Sequence, residues 1–148
     1  MNPSVVRVSD PDGRVLDAAR LAGAEAVHRQ LRPHLPGGYV ETMTRILSDG
    51  GEMAVAVVGE RVAGVAVFRV YRNTFAGNRF YVDDLVTDET ARSTGIGHAL
   101  IAWLETEALA RGCSGIDLES GVQRARAHRF YFREGFVIPS FSFRKTLT

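Results

Sequence analysis

The stretch Thr90–Leu100, TARSTGIGHAL, decides how this chain is read. Gly95 and Gly97 flank Ile96, Arg92 precedes the pair, and an apolar helical pattern follows at once from His98. A helix start leaves about four N–H groups without partners inside the helix. Its aligned peptide dipoles add roughly half a positive charge there. Glycines at 95 and 97 remove the Cβ atoms that would hold a phosphate away from those N–H groups. Arg92 adds a fixed positive charge, and Ser93 and Thr94 add hydroxyl donors. The turn therefore reads as a pyrophosphate grip. A plain glycine-eased passage from strand to helix is the competing reading. No lysine follows the glycines, and Leu100 stands where a third glycine would be, so neither the GxxxxGK nor the GxGxxG loop fits.

Outward from this turn, the pattern predicts strand at Val5–Val8 and helix from about Val15 to Leu31, stopping before Pro33. A second helix carries Val40, Met43, Thr44 and Leu47 on one face. Strands are expected at 53–58 and 62–70, joined by the two residues Gly59 and Glu60 as a hairpin. YRNTFAGN reads as a loop, and Phe80–Thr87 as the fourth strand. The strongest helix runs from Gly97 to about Ala110, with Ile96, Leu100, Trp103 and Leu104 on one side. A fifth strand is expected at 116–119 and a helix at 124–134, stopped by Gly135. Strands at 136–138 and 141–145, broken by Pro139, would finish the chain. Hairpins first and crossover helices later imply a mixed α/β fold with helices on both faces of the sheet. The fourth and fifth strands, joined through the Gly97 helix, form a right-handed parallel pair. Ligands in such sheets bind at the carboxyl ends of parallel strands, which is where the glycine pair lies.

At 148 residues, the expectation is one domain spanning 1–148. Hydrophobic residues at 45% and charged residues at 24% suit a soluble globular protein, and a net charge of +1 argues against nucleic acid as the main partner. Cys113, the only cysteine, cannot form an internal disulfide, which fits a cytoplasmic setting. It reads as a small buried residue at the start of the fifth strand. No apolar run approaches the ~20 residues of a membrane span, and the N-terminal segment lacks a signal-peptide pattern. His28, His34, His98 and His128 show no metal-ligand spacing, so no metal is expected.

A second constellation, RARAHRFYFREGF (124–136), completes the reading. Arg92, Gly95 and Gly97 match an R/Q-x-x-G-x-G/A motif. Ala127, Phe130, Tyr131, Gly135 and Phe136 match A-x-x-F-Y-x-x-x-G-F, and Leu85, Val86 and Thr87 stand in place of L-x-V. In these motifs and their order the chain resembles the GNAT superfamily of acyl-CoA-dependent N-acyltransferases. The resemblance is specific from Phe80 to Phe136. It implies a mixed, mostly antiparallel twisted sheet of about six or seven strands, with the fourth and fifth splayed for coenzyme A, and about four helices.

It further implies acetyl-CoA as co-substrate, its pyrophosphate on the turn formed by Arg92, Ser93, Thr94, Gly95, Ile96, Gly97 and His98. The pantetheine arm would pair with backbone at Leu85, Val86 and Thr87, and the Val86 N–H would serve the thioester oxygen. Ala127 and Arg124 belong to the same cofactor-binding set. Arg124 departs from the asparagine that many members carry there. Tyr131 is the implied general acid for the leaving thiolate, with a core aromatic as the competing reading. YVDDLV places two carboxylates, Asp83 and Asp84, at the end of an otherwise apolar strand. Small-amine members of the family carry an acidic pair here. Asp83 is assigned the proton relay and Asp84 the amine contact, with Glu119 in reserve, against the plainer reading of two solvated strand-end acids. The expected function is direct acetyl transfer to a primary amine of a small molecule, without membrane or nucleic-acid partners; a homodimer is admitted. A protein amine as acceptor, or an acyl-CoA-sensing module without turnover, are the alternatives. Tyr131 and the acid pair favour the enzyme, because a sensor needs neither.

Overall fold

Apolar runs that alternate faces build the centre of the molecule. A computed structural model describes residues 2–148. Its elements are β1 (Ser4–Arg7), α1 (Ala18–Gly23), α2 (Glu25–Leu31), α3 (Tyr39–Ser48), β2 (Glu52–Val58), β3 (Arg61–Asn73), β4 (Gly77–Thr87), α4 (Ile96–Ala110), β5 (Ile116–Leu118) and α5 (Ala125–Arg133). The strands form one sheet in the order β1-β2-β3-β4-β5, with the first four antiparallel to their neighbours and β4 and β5 a parallel pair. The expected mixed α/β architecture is present, with five strands instead of six or seven. Residues up to Asp117 form one compact unit and Leu118–Thr148 a second. Among the described residues no helix is long and apolar enough to cross a membrane.

Period-2 alternation sorts the side chains of β2 and β3 onto two faces. Met53, Val55, Val57, Val65 and Val67 join Leu21, Val27, Met43 and Leu47 in a core under α1, α2 and α3. The opposite face is made of small residues, with Ala54 in register with Ala66 and Ala56 with Gly64. α4 lies on this face. A Cβ on Gly64 would stand 2.8 Å from Ile96 Cγ2 and 2.9 Å from Leu100 Cδ1. The small residues are therefore what allows the helix behind the glycine turn to approach the sheet so closely. Further along, Phe68 stacks on Phe80 at 4.8 Å and meets Trp103 of α4 edge-on at 5.9 Å. The far end of α4 is tied down by charge. Arg111 forks onto buried Glu52 through two bonds of 2.9 and 3.0 Å, Arg7 joins both Glu52 and Glu107, and the Arg7 guanidinium lies 5.3 Å from the Trp103 ring.

Four expectations are corrected. The first helix is broken into α1 and α2 at Ala24. It starts only at Ala18, where the Asp17 carboxylate accepts the Arg20 N–H and sets the N-terminus. YRNTFAGN is mostly strand. β3 and β4 run on until Asn73 faces Gly77, and only residues 74–76 turn. Cross-strand contacts sustain this polar hairpin, since Arg79 donates to Tyr71 and Asp117 and covers the Tyr81 ring. β5 ends at Leu118, and the helices number five. Finally, the strands expected at 136–138 and 141–145 are irregular backbone, with Val137, Ile138, Phe141 and Phe143 exposed. β-propensity describes a residue that fits a paired surface. Here no ladder partner is present, and Pro139 cannot donate to one.

In the second unit, α5 ends as the glycine signal foretold. Gly135 has φ 91°, its N–H bonds Phe132 O at 3.2 Å, and the Phe136 N–H reaches back to Tyr131 O at 3.0 Å. This double bond pattern is the Schellman closure.

Gly64→Ala is expected to lower stability by about 1–3 kcal/mol through overpacking against Ile96 and Leu100. Gly23→Ala is the matched control, because a Cβ there meets only Val62 Cγ2 at an ordinary 3.7 Å. Urea titrations check both: the midpoint should fall for Gly64→Ala with an unchanged slope, and should hold or rise slightly for Gly23→Ala.

Candidate functional site

The geometry around the acid pair begins with a bulge. In the β3–β4 ladder, Phe68 faces Val82 and Val67 faces Asp84, so Asp83 is an extra residue on β4. A bulge re-aims the side chains beyond it. Phe80 and Val82 lie on the α4 face with Phe68, whereas Val86, in register with Val65, joins the core under α1–α3. In a regular strand without a bulge, Val82, Asp84 and Val86 would share one face. With it, Asp84 turns toward α2 beside Val67.

On that face Asp84 is fully engaged. Its Oδ2 lies 2.7 Å from His28 Nε2, and its Oδ1 accepts Arg32 Nε at 2.9 Å and Arg32 Nη2 at 2.6 Å. A carboxylate only accepts, so Nε2 carries the hydrogen of the histidine pair. Nδ1 of the same ring lies 2.8 Å from the Tyr39 hydroxyl. His28 and Tyr39 are almost fully buried. Burial alone would raise the Asp84 carboxyl, but the bonds from His28 and Arg32, together with the Arg32 charge, hold it below its ordinary value. Burial and the nearby charges of Glu25 and Asp84 push the Tyr39 phenol well above its ordinary value, so it stays protonated. Asp84 is thus an anion bound on both oxygens within the protein. Asp83 differs. Its Oδ2 accepts Arg69 Nε at 2.8 Å, its carbonyl accepts Arg32 Nη2 at 3.3 Å, and no bond in the described structure engages Oδ1.

His28, Arg32 and Arg69 were missed by sequence reasoning. His28 in particular reads there as bland. The signals lie 52 and 56 residues from Asp84 for Arg32 and His28, beyond any local pattern. Tyr71 stands on β3 and Phe75 in the turn beyond it, with Phe75 exposed.

The glycine turn follows β4 directly. Asp88 caps a short 3-10 turn (Glu89–Ala91) by accepting the Thr90 N–H. The same carboxylate accepts Gln30 Nε2 and Arg61 Nη1, and the Glu89 N–H donates to Gln30 Oε1. α2 therefore holds both ends of the segment that runs from the acid pair to the turn. Arg92, Ser93, Thr94 and Gly95 are exposed, and Ile96 is buried as the helix anchor. Ser93 and Gly95 both take left-handed backbone, at φ 67° and 85°. Gly95 is the N-cap of α4, and a Cβ built on it meets nothing within 4 Å, so the space above it is open. The Ala99 N–H, bonded to Gly95 O at 3.0 Å, is the first to close a helical turn. The N–H groups of Ile96, Gly97 and His98 precede it. Alternating left-handed residues and a helix start together make an anion-binding concavity. Thr94 Oγ1 donates to the Ala91 carbonyl, so its hydroxyl proton shapes the turn and is not offered outward as expected.

Leu85, Val86 and Thr87 face Ala66, Val65 and Gly64 across the β3 edge. On the other edge β5 is 3 residues long against 11 for β4. Much of that edge carries no ladder among the described residues, and backbone groups there can pair with an extended ligand.

In the second unit, Tyr131 is half-buried between Phe130 and Phe136, each ring centroid 5.5 Å away. Burial raises its phenol, against a smaller opposing effect of the Arg124 charge. It is a protonated hydroxyl at neutral pH. Ala127 is half-buried on the same helix. Arg124 is its exposed N-cap, and Glu119 is exposed in the segment before it. Cys113 is buried, as expected, and burial raises its thiol, which suits a packing role over a nucleophilic one. Among the described residues no group of three or more His, Cys, Asp and Glu could hold a metal ion.

Comparison with known proteins agrees with this arrangement. A matched stretch of 70 residues is 41% identical to an uncharacterized N-acetyltransferase, YhdJ, of Bacillus subtilis, covering 47% of this chain and 49% of that protein. Another, of 66 residues, is 39% identical to an aminoalkylphosphonate N-acetyltransferase of Salmonella typhimurium, covering 45% of this chain and 43% of that protein. The chain thus matches about half the length of these curated relatives. A crystal structure titled as a transcriptional regulator from Bacillus halodurans superposes with a TM-score of 0.75 at 27% identity, covering 99% of this chain and 100% of that one. The model of the acetyltransferase (GNAT) family matches residues 22–136, well over half of the sequence, and the chain belongs to that family.

Proposed function

We propose that the protein transfers the acetyl group of acetyl-CoA directly to the primary amine of a small molecule, and that residues 1–148 act as one acetyltransferase domain. The observation that carries this reading is the unequal acid pair: Asp84 bound on both oxygens, and Asp83 with Oδ1 uncommitted. A binding module has no need of such a pair. The name of the Salmonella relative, an aminoalkylphosphonate N-acetyltransferase, supports a small amine.

The pyrophosphate of the co-substrate lies on the N–H groups at the start of α4, with Arg92 beside it. The pantetheine arm runs along the open edge of β4 at Leu85–Thr87. An alkylammonium has pKa ~10.4 and must lose a proton before it can attack. Asp83 receives that proton through water at Oδ1, taking on both tasks expected of the pair, while Asp84 fixes the strand against α2. The amine nitrogen then bonds to the thioester carbonyl carbon. The C–S bond breaks, the nitrogen gives up its surplus proton to water as the amide forms, and the departing thiolate takes a proton from the Tyr131 hydroxyl, which solvent replaces.

Four outcomes are expected. Gly95→Glu should abolish binding of coenzyme A, while Gly95→Ala, which shares the backbone strain but adds no charge, should weaken it only partly; titration calorimetry on the folded variants separates the two. Asp83→Asn should lower turnover most near neutral pH and recover partly as pH rises, because free amine then accumulates without the relay. A pH-rate profile parallel to that of the unaltered protein would remove Asp83 from the relay. Asp84→Asn should instead lower the melting temperature. Its native carboxyl titrates below the unfolded value, so the stabilisation is present above about pH 4 and lost as pH falls below it. The gap in melting temperature between Asp84→Asn and the unaltered protein should therefore close below about pH 4. Tyr131→Phe keeps the ring packing and removes only the hydroxyl, so kcat should fall by about 10²-fold with coenzyme A affinity nearly unchanged. Thiol release measured with and without amines checks turnover in each case, and its absence with every amine would leave a binding module.

A further inference from the structure

The reaction just described leaves two arginines beside the acid pair without a task. Arg69 of β3 spends Nε on Asp83 Oδ2, at 2.8 Å. Arg32, at the C-terminal end of α2, spends Nε and Nη2 on Asp84 Oδ1 and on the Asp83 carbonyl. Both guanidinium groups therefore lie against the same two residues. Arg69 keeps Nη1 and Nη2, and Arg32 keeps Nη1, beyond these bonds. Their side chains are 34% and 52% exposed, so these donors are open to a ligand.

Charge balance decides between acceptor classes. Two carboxylates and two guanidinium groups sum to zero in this cluster. A polycation would meet as much repulsion as attraction here. A plain alkylamine would use Asp83 and leave the arginine donors to water. An amine that also carries an anionic group satisfies both. We propose that the acceptor is a short zwitterion, with its ammonium on Asp83 Oδ1 and a phosphonate, sulfonate or carboxylate on the spare N–H groups of Arg69 and Arg32. This rests on the reading that Asp83 receives the amine. Arg69 holds the second oxygen of that same carboxylate, so the two ends of the ligand are close and the spacer is short, about two or three carbons. A guanidinium presents its N–H groups as a planar fork, which suits an oxyanion bound by two oxygens.

The test compares acceptors of matched length on the full chain with acetyl-CoA: 2-aminoethylphosphonate, taurine and β-alanine against n-propylamine and spermidine. Rates are expressed per free amine, so that differing amine pKa values do not enter. The anionic amines should lead n-propylamine by about tenfold or more in kcat/KM, mainly through KM, the scale of one charge-assisted hydrogen bond. Arg69→Gln and Arg32→Gln should each shrink that ratio. The ratio is taken within one variant, so any general loss from a loosened acid pair cancels. Equal or better use of n-propylamine or spermidine by the unaltered protein overturns the proposal while leaving the transferase intact, as does a ratio unchanged in both variants. No transfer to any amine sinks the transferase reading itself. Binding of 2-aminoethylphosphonate against n-propylamine, by calorimetry on the folded protein, then decides the charge assignment. Tighter binding of the zwitterion supports it, and equal binding overturns it.

Discussion

A carboxylate set into the face of a sheet must find partners or lose its charge. Asp84 meets that demand with His28 and Arg32, both from one stretch of chain at α2 and its C-terminal end. The requirement fixes how α2 lies on β4. Because α2 also carries Gln30, the same docking sets the entrance to the glycine turn through Asp88 and Glu89. Tyr39 closes the chain of contacts from α3. Remove the Asp84 pairing, and the acid pair, the glycine turn and the segment between them lose their common support.

Much of the molecule can be read without coordinates because its determinants are local. The apolar runs of β2 and β3, the glycine start of α4 and the Gly135 stop depend on residues within a few positions of one another. The motifs around Gly95 and Tyr131 are local too, which is why the family could be named from them. The acceptor side is different. His28, Arg32 and Arg69 acquire their meaning only from a β4 residue far along the chain, and periodicity assigns an isolated histidine no partner. The polar end of the β3–β4 hairpin reads as loop because a contact that holds it runs across strands, from Arg79 to Tyr71. The C-terminal segment shows the converse, with a strand pattern present and a strand partner missing.

Face assignment also explains the distribution of residue sizes. Bulky aliphatic residues cluster where three helices cover the sheet, and alanines and a glycine line the side where α4 presses down. This asymmetry holds the positive end of α4 hard against the strand that bears the acids. Electrostatic reach falls with distance and with intervening water, so the closeness allowed by Gly64 brings the field of the α4 terminus to bear on the sheet.

The bulge at Asp83 has a consequence for how such a chain can change over time. Side-chain direction in a strand depends on parity, and the extra residue inverts parity halfway along β4. A point substitution at 83 leaves this parity standing, and one at 84 keeps it while loosening the docking of α2. Loss of the one extra residue would regularise the ladder and leave Asp84 opposite Val67, Leu85 opposite Ala66 and Val86 opposite Val65, each on the face it already occupies. Drift by loss of the extra residue is therefore open to this stretch of β4, as well as drift by exchange of residues.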